Sequence, residues 1–321
     1  MSFPAFLLAW LLSTAGALVL FAIFLGRRVD ATVRPQGQWI EVEGERIHYR
    51  AFGEGPPIVM VHGLGGNLRN FAYLPLAELA RDFRVVLLDR PGSGHSPRKD
   101  DAKAVLGEQA RVLAGFIRAM QFDRPPLLVG HSLGGAISLA LALREPGSVA
   151  GLALLAPLTH EVAEPPAVLK AFAIRQPWLR RLVAYTVAMP AGIARSKQVM
   201  ALVFAPEQPP RDFAVRGGGL LGLRPQAFVG TSTDFCALEH QMAPQEARYG
   251  ELQMPVHVLY GDGDRLLDWQ VHGKALADKV PQAHLQVVAG GGHMLPVTQP
   301  AVTAEFLRRA AGDAFCATVR S

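Results

Sequence analysis

The chain lacks the features that would place it in several common classes. It has only two cysteines in 321 residues, Cys236 and Cys316, too few for a disulfide framework and compatible with one bridge or two thiols. No set of His, Cys, Asp or Glu has metal-ligand spacing, so no metal or other cofactor is expected. No long basic run or nucleic-acid motif occurs, which counts against nucleic acid as a partner. No internal repeat or low-complexity segment is present. The length suits one large domain, or a domain with an insertion.

The most informative absence is local. No charged residue occurs from Ala5 to Leu25, in AFLLAWLLSTAGALVLFAIFL. A helix of about 20 such residues crosses ~30 Å of hydrocarbon. A secretory signal needs a basic start and a small-residue cleavage site. Met1–Pro4 carry no charged side chain, and GRRVDA follows the run. We therefore expect a retained single-pass transmembrane anchor over residues 1–28 and a polar linker over 29–37. Arg27, Arg28 and Arg34 follow the run, and by the positive-inside rule favour a cytoplasmic location for the large domain. Ala5, Ala9, Ser13 and Ala17 recur every fourth residue, a stripe through which a homodimer could form.

Beyond Gly37, QWIEVEGERIHYRAFG predicts a hairpin turning at Glu43–Gly44. Six apolar runs then begin at Pro57, Arg84, Pro126, Gly151, Pro255 and Leu285. Their continuous apolarity suits parallel strands buried on both faces. Helical patterns separate them around 69–81, 103–120, 133–145 and 268–279, with another at 299–311. The fold class expected is α/β: a mostly parallel central sheet flanked by helices. The alternation stops between Leu158 and Thr231, where prolines divide the chain into short helical pieces. Residues 38–157 and 232–321 thus read as two parts of one core, and 158–231 as an inserted helical cap. From Leu158 to Gln226 the cap carries nine Lys/Arg against four Asp/Glu. Such an excess fits a solvated face, a membrane surface or an anionic substrate.

LLVGHSLGG, residues 127–135, ends an apolar strand pattern and starts a helical one. Its G-x-S-x-G core is the pattern of a sharp strand-to-helix elbow that exposes a serine, here Ser132. A serine hydroxyl needs a base, and the base needs an orienting acid. Of ten histidines, His293 in AGGGHMLP is the best base, because it sits in a glycine loop just past a strand. His131 is expected to pack beside the elbow. YGDGDRLLD offers Asp262, Asp264 and Asp268 as the acid. Asp264 is preferred and Asp262 held in reserve; Asp268 is expected to cap a helix. The N–H groups of Leu133, after the nucleophile, and Leu64, in HGLGG, are the expected oxyanion donors.

In their order VHGLGG, LLDRPGSGHS, VGHSLGG, YGDGD and GGGHMLP, these motifs resemble those of the α/β-hydrolases of the lipase/esterase type. The resemblance covers about Trp39–Ala311, the cap excepted. It implies the α/β-hydrolase fold, with Ser132, Asp264 and His293 as catalytic residues. The family's dehalogenases and epoxide hydrolases use an aspartate where Ser132 stands. The layout of anchor, core and apolar cap is most similar to membrane-anchored monoacylglycerol lipases and lysophospholipases. It implies an ester or lipid substrate and the membrane as partner. Hydrolysis of small non-lipid esters, thioesters or lactones is the alternative, and a ligand-binding receptor on this fold the more distant one.

Overall fold

A computed structural model of the chain describes residues 2–317. Eight strands form one sheet in the order β1-β2-β4-β3-β5-β6-β7-β8. Gln38–Val42 (β1) and Glu45–Phe52 (β2) make the expected hairpin. Glu43 and Gly44, at φ 53° and 79°, turn it with the double positive φ that matches strand twist. β2 pairs antiparallel with β4 (Arg84–Leu88), and every later pairing is parallel. β3 (Pro57–Val61), β5 (Leu127–His131), β6 (Gly151–Leu155) and β7 (Val256–Gly261) are buried at every position. β8 (Ala283–Val288) closes the edge.

Full burial arises because each strand feeds two cores. In β3, Val59 and Val61 face Leu113 and Phe116 of α2 (Leu106–Ala119) and Ile137 of α3 (Leu133–Arg144). Ile58 and Met60 join Phe306 and Leu307 of α7 (Pro300–Ala317) on the other face. This two-residue alternation with both sides apolar is why the sequence shows unbroken runs.

No strand lies between β6 and β7 among the described residues. That segment holds α4 (Pro177–Tyr185), α5 (Ala188–Phe204), α6 (Pro225–Ala237) and short turns. The expected end of the insertion at Thr231 falls inside α6. The helix continues because Asp234, in its last turn, is buried against Arg90 and Arg98 of the loop after β4.

α1 runs from Phe3 to Thr32 and is long and apolar enough to cross a membrane. It passes the expected break at Arg28, so the predicted linker begins as helix. The cause is tertiary: Val29 and Val33 pack with Leu221, and Asp30 accepts a 2.8 Å bond from Arg224. The small-residue stripe Ala5, Ala9, Ser13 and Ala17 is exposed. Cys236 and Cys316 are free thiols, not a disulfide.

Asp234→Asn would leave two buried guanidinium groups without their counter-ion. The expected loss is about 3–5 kcal/mol, read by denaturant unfolding. A loss no larger than that of an exposed pair, ~1 kcal/mol or less, would contradict the buried network.

Candidate active site

The geometry starts at the end of β5. Ser132 stands between β5 and α3 with φ 54° and ψ −119°, a region that a residue bearing a Cβ rarely occupies. The backbone on each side holds it there. Its N–H donates to the Leu155 carbonyl at 3.0 Å, and its carbonyl accepts from Leu158 N–H at 3.0 Å. Gly134 is required because a Cβ would meet the Val61 carbonyl oxygen at 2.2 Å. α3 can therefore pass directly over β3. Leu133 is the first residue of α3, where an N–H has no intrahelical partner.

Ser132, Leu133, Leu64 and His293 all line one cavity of about 600 Å³. Leu64 lies in the turn closed by Gly66 N–H to the Gly63 carbonyl at 3.2 Å. Gly63 is pressed against Ser132, since a Cβ there would stand 2.9 Å from the Ser132 Cβ. The loop that carries Leu64 is thus adjacent to the serine.

His293 and Asp264 meet: Nδ1 lies 2.7 Å from Asp264 Oδ2, with both side chains nearly fully buried. The other carboxylate oxygen of Asp264 accepts from Leu266 and Leu267 N–H at 2.8 and 3.1 Å. Burial pushes the Asp264 carboxyl upward. The His293 charge, its hydrogen bond and the two N–H groups outweigh that and hold the carboxyl below its ordinary range. A charged Asp264 accepts the His293 Nδ1–H and leaves Nε2 as the ring's basic atom.

The other two candidate aspartates have different partners. Asp262 accepts from Gly290 N–H at 2.7 Å and bridges the loops after β7 and β8. Asp268 accepts from Gln270 N–H at 2.8 Å, in the capping position expected of it. His131 Nε2–H donates to the His293 carbonyl at 2.9 Å, so it braces the loop rather than merely packing.

Several supporting residues were not singled out from sequence. Arg90 donates to the His62 and Gly63 carbonyls at 3.1 and 2.9 Å, and to Asp234 on α6 at 2.8 Å. It ties the Leu64 loop to the inserted helices. His62 accepts from Arg90 N–H at 3.1 Å and donates to the Gly63 carbonyl. Glu207 reaches from the insertion to accept from Gly292 N–H at 3.0 Å, beside His293. The motifs containing Arg90 and His62 were visible; their partners lie far away in sequence, and Glu207 carried no local signal. Among the described residues, no three His, Cys, Asp or Glu side chains are grouped to hold a metal ion.

Residues 56–300 match the family defined by the alpha/beta hydrolase fold, and the chain belongs to that family. Among its relatives is a protein named for carbamate hydrolysis, RutD of Pseudomonas savastanoi pv. phaseolicola. It is 27% identical over 262 residues, 79% of this chain and 93% of the relative. A 2-hydroxymuconate semialdehyde hydrolase of Pseudomonas sp. CF600 is 36% identical over 121 residues, and the match spans 37% of this chain and 42% of the relative. Similar solved structures include a membrane phospholipase A described as a bacterial virulence factor. It has TM-score 0.70 and 24% identity, and the match covers 97% of this chain and 98% of that one. An esterase from Thermogutta terrifontis has TM-score 0.68 and 20% identity, covering 87% and 99%. At these identities the structures establish the shared fold.

Burial keeps three histidines neutral, with smaller contributions from the charges of Arg90, His293 and His160. His62 is lowered to about 4, His131 to about 3 and His272 to about 4. Unfolded, each titrates near ~6.5. Below that pH the unfolded chain binds protons that the folded chain refuses, so stability should fall from pH ~6.5 toward ~4. Thermal melts at pH 7 and 5 should show a lower Tm at pH 5. An unchanged Tm would contradict these buried neutral rings.

Proposed function

We propose that this member of the family is a membrane-anchored serine hydrolase of carboxylic esters, acting on lipid-derived substrates such as monoacylglycerols or lysophospholipids. The observation that carries the reading is that His293, paired with the buried Asp264, shares a largely apolar cavity with the strained Ser132.

In this reading His293 Nε2 takes the Ser132 proton as Oγ attacks the ester carbonyl carbon. The carbonyl oxygen becomes an oxyanion held by the N–H groups of Leu64 and Leu133. Asp264 stabilises the imidazolium. His293 then protonates the leaving alcohol oxygen, which departs and leaves an acyl-serine. Water, deprotonated by His293, attacks that ester and releases the acid and free Ser132. The acyl chain lies among Leu158, Val162, Leu169, Phe235, Leu266 and Met294. A cavity of about 600 Å³ suits a ligand larger than an acetyl ester. Held in the bilayer by α1, the enzyme meets esters that partition there, and Arg27, Arg28 and Arg34 favour a cytoplasmic active site.

Ser132→Ala should lower hydrolysis of p-nitrophenyl esters at least ~10³-fold while leaving the unfolding midpoint almost unchanged. An undiminished rate would remove Ser132 from the mechanism. Across a series of acyl lengths the wild-type chain should prefer long chains. A preference confined to acetate would favour the small-ester alternative.

A further inference from the structure

The free length of α1 is shorter than a bilayer. About 20 helical residues are needed to cross ~30 Å of hydrocarbon, and the uncharged run Ala5–Leu25 is about that long. One face of its second half is already occupied. Leu18, Val19 and Leu25 are partly buried, and Ala22 and Gly26 are buried. α1 packs against α4, α6 and the turn Gly219–Leu223, and a Cβ added at Gly26 would stand 3.7 Å from Pro225 Cδ, in ordinary contact. At 1.5 Å per residue, the free part from Ala5 to Ala17 spans only ~20 Å. The protein body therefore flanks the last ~10 Å of the run. Amphipathic helices that lie in a membrane interface reach a depth of ~5–10 Å.

The surface beside α1 has the composition for that depth. Among the described residues outside α1, five of the ten exposed large apolar side chains fall between Trp178 and Ile193. Trp178, Leu182 and Tyr185 form one face of α4, at i, i+4 and i+7, and are 67%, 52% and 39% exposed. The opposite face is fixed to the body, with Arg180 donating to Ser232 Oγ at 3.0 Å and Thr233 Oγ1 at 2.6 Å. From Pro165 to Met200 the chain has six Lys/Arg and no Asp or Glu. All but Arg180 are exposed.

We propose that α4 and the turn into α5 are seated in the headgroup layer of an anionic bilayer, beside α1. The inserted helices then share with α1 the work of holding the chain on the membrane. This rests on reading α1 as a retained anchor. It also sharpens the lipid reading. Pro165, Pro166, Leu169 and Arg175, just before α4, line the cavity that holds Ser132. A lipid would reach that cavity from the bilayer without crossing water.

The test uses the full chain in nanodiscs of phosphatidylcholine and phosphatidylglycerol, with Cys236 and Cys316 replaced by serine. An environment-sensitive fluorophore is attached at Leu182→Cys or, as a control on α7, at Glu305→Cys. The probe at 182 should emit as in an apolar medium and be quenched by nitroxide-labelled lipid; the probe at 305 should do neither. Equal, water-like emission at both sites would overturn the proposal. So would shielding at 182 that appears only in discs holding two copies, because a second chain would then cover the face. Trp178→Glu with Leu182→Glu should stay in the membrane fraction through α1. Hydrolysis of a long-chain ester presented in vesicles should drop several-fold, with kcat/KM on a soluble short ester retained. Equal losses on both substrates would count against docking. The depth measurement needs no turnover, so failure of the ester-hydrolase reading alone would leave it decisive.

Discussion

A single buried guanidinium links the parts of this molecule that must act together. Arg90 lies at the carboxyl end of β4 and reaches the carbonyls of His62 and Gly63 and the carboxylate of Asp234. Taking that charge out of water is costly, and the cost is offset only when its donors are satisfied and a counter-ion is held close. Three otherwise independent segments supply those partners: the loop after β3, helix α2 through Gln109, and the inserted helix α6. The loop bearing Leu64 and the wall of the cavity are therefore set by one network. Asp234 serves Arg98 as well, at 2.5 Å, so neither loop nor helix can shift alone without unpairing a buried charge.

Ser132 imposes the second constraint. Its positive φ is paid for by neighbours on both sides, with β6 and the residues after it accepting and donating to its peptide groups. The paired side chains Asp264 and His293 arrive from loops at the carboxyl ends of β7 and β8. Grouping at that edge is the general consequence of a parallel sheet, where successive strands deliver their following loops to the same side. The segment between β6 and β7 lines the cavity and also reaches the loop of His293, since Glu207 accepts from the Gly292 N–H.

α1 belongs to the body as much as to any membrane. Its last turns are helical because Val29, Val33 and Asp30 have partners in the insertion. The segment that reads by hydropathy as a membrane anchor is joined to the same α6 that carries Asp234. The placement of α1 and the shape of the cavity are in this way mechanically related.

The sheet, most of its helices and the local residues of the candidate site have short-range signals that are legible in the sequence. Unbroken apolar runs mark strands covered on both faces, and glycines around Ser132 mark an elbow that tolerates no side chain. Asp264 could be preferred over Asp262 and Asp268 by its spacing from the strand end, and its contact with His293 spans 29 residues of chain. Other features had no local signal. The helix of α1 extends past Arg28, α6 passes Thr231, and Arg90 finds Asp234 across 144 residues. Composition and periodicity report what a residue's neighbours in the chain require. Where a charge finds its counter-ion, or where a helix end finds its cover, depends on which surfaces the folded chain brings together, and only the tertiary structure decided that.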